Sequence, residues 1–188
     1  GTRFRLRAPG AKAVELVAGP DHDPESMPMQ KGEGGWWDVT TRKLQPDSAY
    51  GFRVNDGNVV PDPAARAQMG DVHGRSRLVD PSAYQWQTAD WKGRPWHEVV
   101  FYELHTGTFT LEGTFDAAIG KLDYLQKIGI TAIELMPVAQ FGGRHGWGYD
   151  GVLLYCPHEA YGGVEGLKRL VDAAHADRNL EAEHRVLA

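Results

Sequence analysis

Val99-Val100-Phe101-Tyr102-Glu103-Leu104 is a mostly apolar run of strand length, and Ile130-Thr131-Ala132-Ile133-Glu134-Leu135-Met136 is a second, closed by Pro137. Between them Thr114 is placed to cap a helix that carries Phe115, Ala118, Ile119, Leu122, Leu125 and Ile128 on one face. Gly129 follows as a residue at ease in the left-handed conformation that ends helices. Strand, helix and strand in that order predict a βαβ unit, with parallel strands buried under helices on a right-handed crossover. The spacing predicts a further helix over 164–176, with Val164, Leu167, Leu170, Val171 and Ala174 facing inward. From Asp177 to Ala188 the residues turn charged and strand-poor; this tail, of unclear origin, is expected to be helical or disordered.

Upstream the period changes to two. Phe4 and Leu6 alternate with Arg3, Arg5 and Arg7, Val14 and Leu16 with Ala13 and Glu15, and Tyr50, Phe52 and Val54 with Gly51, Arg53 and Asn55. Turn residues punctuate these runs at Pro9-Gly10, Gly19-Pro20-Asp21, Gly34-Gly35 and Asn55-Asp56-Gly57-Asn58, the last a hairpin signal. Short strands so spaced predict a small β-sandwich. From Val60 to Trp96 prolines and glycines with few periodic apolar positions predict a long ordered connection. The expected organisation is therefore a sandwich module with its connection over 1–95, strand-helix units over 96–176 and the tail over 177–188.

Composition narrows the function classes. The 188 residues are 41% hydrophobic and 24% charged, ordinary for a globular protein, and long enough to bury a core. A net charge of −5 without a lysine or arginine block argues against nucleic-acid or anionic-membrane partners, which need a clustered positive field. Cys156 is the only cysteine, so no intrachain disulfide forms, and a reducing, cytoplasmic setting is expected. No apolar stretch approaches the roughly 18 residues of a membrane span, and Gly1 to Arg7 lacks a signal-peptide core.

The segment from Val138 to Gly163 concentrates candidate chemistry. It places Phe141, Trp147, Tyr149, Tyr155 and Tyr161 among glycines, with His145, Asp150, His158 and Glu159 between them. Aromatic faces suit the C–H surfaces of pyranose rings, and carboxylates and imidazoles suit their hydroxyls. Two readings stay open: a sugar platform, or a satellite core under a long loop. Gly142-Gly143-Arg144-His145-Gly146 lacks the glycine-lysine-serine/threonine ending of a phosphate loop. No metal or cofactor is expected, since His105, His145 and His158 have no HExxH or CxxC company. Glu103 and Glu134 lie within apolar strands, where a carboxylate is either salt-bridged or facing a polar site. Cys156 reads as a buried thiol, and Trp36 and Trp37 as either glucan-binding rings or packing against the sheet.

Val100 to Phe109, Gly129 to Pro137 and Trp147-Gly148-Tyr149-Asp150-Gly151-Val152, in that order and spacing, resemble the opening of the catalytic barrel in the α-amylase superfamily of glycoside hydrolases. The first half resembles the β-sandwich that precedes the barrel in branching enzymes, isoamylases and trehalohydrolases: Ala8-Pro9-Gly10-Ala11-Lys12-Ala13-Val14-Glu15-Leu16 and Tyr50-Gly51-Phe52-Arg53-Val54 are similar to its strands. Pro61-Asp62-Pro63-Ala64-Ala65-Arg66 followed by Val72-His73-Gly74 is most similar to the trehalohydrolase group; Arg7 departs from a pattern that usually has tryptophan there. The resemblance implies an immunoglobulin-like, early-set sandwich followed by the start of a TIM (β/α)8 barrel.

It also implies release of trehalose from a maltooligosyl chain, or, as alternatives, glycogen branching, isoamylase-type debranching, or a non-catalytic glucan-binding module. Retaining cleavage needs two carboxyl groups roughly 5–5.5 Å apart. In the family these and a third carboxylate follow later barrel strands, so no catalytic residue is expected here. Of the binding residues, the loop after the second strand carries over, with Tyr149 as the aromatic platform under the sugar and Trp147 and Asp150 shaping the loop; His105, ending the first strand, is expected on the floor. A whole barrel takes about 250 residues and eight strands. The chain is therefore expected to be the amino-terminal portion of a longer polypeptide whose remainder closes the barrel, and inactive alone.

Overall fold

The computed structural model describes residues 1–20 and 22–176 with their side chains, and the backbone of Glu181–Glu183. It forms two units, Gly1–Asp80 and Pro81–Ala188, each with its own core. Among the described residues no helix is long and apolar enough to cross a membrane.

The first unit is built from β1 (Thr2–Arg7), β2 (Val14–Ala18), β3 (Glu25–Pro28), β4 (Gln30–Lys31), β5 (Trp36–Thr41), β6 (Ala49–Val54), β7 (Val59–Val60) and β8 (Ser76–Arg77). One sheet has the order β1-β5-β4; the other runs β3-β2-β6-β7, with β8 also pairing β6. Alternation works as the sequence predicts: Phe4 is buried while Arg3, Arg5 and Arg7 stay exposed. Phe4 and Trp37 from one sheet share a core with Val14, Leu16, Tyr50 and Phe52 from the other, and the Phe4 and Tyr50 rings meet edge-on at 5.0 Å. Asn55, at φ 54°, makes the β6–β7 hairpin turn, and its side chain accepts hydrogen bonds from the Lys12 and Ala13 amides.

The Val60–Trp96 connection is ordered by polar groups. Buried Gln68 donates to the Asp71 and Gly74 carbonyls, Ser76 donates to Gln68, and Asp62 accepts from the Tyr50 hydroxyl. The residues after Asp80 group with the second unit, earlier than the boundary expected near Arg94-Pro95-Trp96. The reason is Asp172, whose carboxylate takes hydrogen bonds from Tyr84, Gln87 and Thr88.

The second unit contains β9 (Phe101–Leu104), α1 (Thr106–Phe109), α2 (Phe115–Ile119), α3 (Leu122–Lys127), β10 (Ala132–Leu135), β11 (Ala139–Gln140), β12 (Leu153–Pro157), α4 (Gly163–Ala176) and β13 (Glu181–Glu183). β9 and β10 are parallel, with Phe101 opposite Ala132 and Leu104 opposite Leu135. Ile133, Leu135 and Leu104 share a core with Phe115, Ala118, Leu122, Leu125, Leu167, Leu170 and Ala174 from the helices.

Four sequence expectations need correction. The helix expected to run unbroken to Ile128 is two helices, because Gly120 and Lys121 take ψ near −4° and break the ladder; Thr114 does cap the first, accepting from the Ala117 amide. Ile128, expected to face inward, lies at the helix end and is 53% exposed. Phe101 and Tyr102 are not buried, since among the described residues little covers their part of β9. Finally, Glu181–Glu183, expected to be helical or disordered, is a strand parallel to β10, giving the order β13-β10-β9. Sheet pairing uses backbone groups, so a segment with two glutamates can join it although glutamate favours strands less than β-branched and aromatic residues do. The rest of the 177–188 tail lies outside the described residues.

Candidate functional site

The site lies where the chain leaves the carboxyl ends of β9 and β10. The segment expected as one long loop is a hairpin: β11 and β12 pair antiparallel, and a 3-10 turn over Glu159–Tyr161 leads into α4. Gln140, buried at its base, accepts from the Glu159 amide and donates to the Phe141 carbonyl. That side chain was not among the sequence candidates, because nothing in its neighbours distinguishes it from an exposed glutamine.

The aromatics divide into two sets. Phe141, Tyr161 and His158 are buried: the Phe141 and His158 rings stack at 3.9 Å, and Tyr161 meets His158 edge-on at 4.8 Å and Phe115 at 6.0 Å. Burial pushes the Tyr161 hydroxyl above its ordinary pKa. Trp147, Tyr149 and Tyr155 are 71%, 68% and 65% exposed. The loop thus divides: Phe141, His158 and Tyr161 form a buried core under it, and they carry an exposed aromatic rim for which the sugar-platform reading stays open.

His105 joins the two sets. Its Nε2 lies 2.8 Å from the Gly146 carbonyl oxygen, and its ring stands edge-on to Trp147 and to Tyr161, each at 6.0 Å. Tyr149 and Asp150 lie in the exposed turn beyond. Gly148, between the two rim aromatics, is buried at φ +89° with its backbone against Pro137. Only glycine fits there, which is why the run Trp147-Gly148-Tyr149 holds its shape.

The remaining candidates fall elsewhere. Arg144 and His145 are not buried, and Cys156 is. Glu103 and Glu134 sit side by side in the β9–β10 register, opposite in facing to Leu104 and Leu135; neither is in an ion pair among the described residues. Among those residues no group of three His, Cys, Asp or Glu side chains is arranged to hold a metal. In the first unit Trp37 is buried and donates from Nε1 to the Ala8 carbonyl, whereas Trp36 is 36% exposed with the Arg5 guanidinium 4.4 Å over its ring.

Residues 1–83 match the family Carbohydrate-binding module 48 (Isoamylase N-terminal domain), and residues 48–180 match Alpha amylase, catalytic domain. The chain is 48% identical over 179 residues to the malto-oligosyltrehalose trehalohydrolase of Rhizobium sp. (strain M-11), covering 93% of this chain and 30% of that protein. It is 32% identical over 192 residues to the 1,4-alpha-glucan branching enzyme GlgB of Photobacterium profundum, covering 93% of this chain and 27% of that one. In structure it is similar to a Salmonella typhimurium protein assigned as an alpha amylase, with TM-score 0.91 and 50% identity over 97% of this chain and 30% of that chain. The chain thus spans about 30% of the length of the trehalohydrolases it matches. With a family match over most of its length, and the parallel β9–β10 pair carrying the aromatic loop at its carboxyl end, the chain belongs to the Alpha amylase, catalytic domain family.

Proposed function

We propose that the protein carrying this chain is a trehalohydrolase, releasing trehalose from maltooligosyltrehalose by retaining cleavage of an α-1,4-glucosidic bond. The observation that carries this reading over a branching enzyme is the higher identity to the trehalohydrolase over the same share of the chain. The geometry adds support: Tyr149 and Trp147 are exposed on a turn whose backbone is fixed by Gly148, as a stacking platform for glucose rings requires. Tyr149 is assigned to the ring beside the bond to be cut, with Trp147 and Asp150 shaping the turn.

In this reading the carboxylates that cut the bond lie in chain beyond these residues, and the 188-residue chain alone is inactive. A cytoplasmic location is part of the same proposal, supported by the lone, buried thiol Cys156. The test is to supply the purified full-length protein with maltooligosyltrehalose and assay free trehalose. New α-1,6 branches would replace the reading with a branching enzyme, and linear chains from branched glucan with a debranching enzyme. Calorimetric binding of maltooligosaccharide without turnover by the full-length protein would leave a glucan-binding module. Turnover by the isolated 188-residue chain would overturn the assignment of the catalytic carboxylates to chain beyond it.

A further inference from the structure

We propose that His105 is a positioning residue, which tethers the Trp147–Tyr149 turn through a hydrogen bond from its Nε2 to the Gly146 carbonyl and does not itself contact sugar. The inference rests on the glucan reading above for what the turn does, and on the structure alone for how it is held.

A carbonyl oxygen only accepts, so in the 2.8 Å contact Nε2 carries the hydrogen. Its 3.4 Å approach to the Tyr161 hydroxyl is longer and secondary. Nδ1 is shut off from water and has no hydrogen-bond partner among the described residues. One nitrogen is therefore committed to the turn and the other is enclosed, which leaves neither for a sugar hydroxyl.

The ring is also held in place. Its backbone carbonyl accepts from the Thr108 and Phe109 amides of α1, and the Leu104 carbonyl before it accepts from Met136 beside β10. Tyr161, 3% exposed, is a fixed wall on one side, with the Trp147 ring edge-on to the imidazole as well. A β-carbon at Gly107 would come within 3.0 Å of both His105 Cε1 and Tyr161 Cε1, so the absence of a side chain there is what admits the imidazole. On the turn, a β-carbon at Gly146 would fall 2.9 Å from the Phe141 ring. Gly146 is thus pressed to the buried aromatics on one side and bonded to His105 on the other, and Trp147 is the next residue.

The test uses tryptic cleavage after Arg144, an exposed residue two positions before Gly146, in the full-length native protein. His105→Phe keeps a flat ring and removes the donor; we expect cleavage there to rise about fivefold, the equivalent of one ordinary hydrogen bond. His105→Gln, which places an amide nitrogen near the position of Nε2, should stay near the unsubstituted rate. His105→Asn, reaching only as far as Nδ1, should behave like phenylalanine, and the glutamine and asparagine pair decides the matter if His105→Phe does not fold. An unchanged rate in His105→Phe, or equal rates in the glutamine and asparagine variants, overturns the tether. Calorimetry with maltohexaose should show binding weakened by a similar factor in His105→Phe and retained in His105→Gln; weakening in both would overturn the claim that His105 makes no sugar contact. Raised cleavage in a protein that binds no glucan supports the tether and removes the glucan reading alone.

Discussion

Gly148 and Pro137 are packed so closely that a β-carbon at residue 148 would lie 1.9 Å from the Pro137 carbonyl oxygen. No side-chain rotation relieves such a clash, because both partners are backbone. Gly148→Ala must therefore shift the turn, in addition to placing alanine at a positive φ that costs about 1–2 kcal/mol by itself. The expected loss is at least about 2 kcal/mol, measured by urea denaturation, together with weaker binding of maltooligosaccharide. A variant as stable as the parent would show that the turn is not held against Pro137.

The adjacent tryptophans of β5 separate packing from recognition. Trp37 is buried in the sandwich core, so Trp37→Ala should destabilise that unit by about 3–5 kcal/mol and cannot report on binding. Trp36 is the informative position: losing its contact with Arg5 should cost about 0.5–1 kcal/mol. If Trp36→Ala leaves maltooligosaccharide binding unchanged in calorimetry while Tyr149→Ala abolishes it, the turn and not the sandwich is the glucan platform.

Asp172 makes stability of the second unit acid-sensitive. Burial pushes its pKa up, but hydrogen bonds from the Gln87 and Thr88 amides and from the Thr88 and Tyr84 hydroxyls outweigh this and hold it below the usual carboxylate range. A lowered folded-state pKa contributes stability that is present above the unfolded value of about 3.9 and is lost as pH falls through the lower, folded value. Asp172→Asn, which loses acceptors, should be less stable at neutral pH by about 1–3 kcal/mol. Its stability should also fall less steeply than the parent's as the pH is lowered below the unfolded carboxylate value of about 3.9. Trp91, stacked on His175 at 3.7 Å, offers a fluorescence signal for release of the 84–91 segment. Equal acid slopes in parent and variant would refute the assignment.

Arg169 reaches from α4 to α2, with Nε 2.8 Å and Nη2 2.7 Å from the Asp116 carboxylate oxygens. The hydrogen bond from Arg169 lowers the Asp116 pKa, yet both side chains are about half exposed. A double-mutant cycle should therefore give no more than about 1 kcal/mol, falling in high salt. A larger, salt-independent coupling would mean the pair is shielded from water.

Much of this was legible because it is local. The period of two in Phe4 to Arg7 and the helical spacing of Phe115, Ala118, Leu122 and Leu125 both reappear as buried faces, and Thr114 caps where it was expected. The Gly120 break was not legible, since the apolar face continues unbroken across it. Neither was the strand at Glu181–Glu183: its charged residues carry no strand pattern, and its pairing with β10 is a backbone property that depends on which strand lies beside it.

The candidate site divides the same way. Aromatic and glycine content marked the segment from Val138 to Gly163, and the order of motifs marked the family, because both are written in residue types and short spacings. Which rings are buried was open, and so was the tether. His105 and Gly146 are far apart in the chain and meet only because parallel pairing of β9 and β10 brings their carboxyl ends side by side. The sequence alone determined most of the strands and helical faces through the periodicity of side chains along single segments, and the family through the order and spacing of its motifs. The tertiary structure decided that Phe141, His158 and Tyr161 form the support and Trp147 and Tyr149 the exposed rim, because burial depends on what other segments cover.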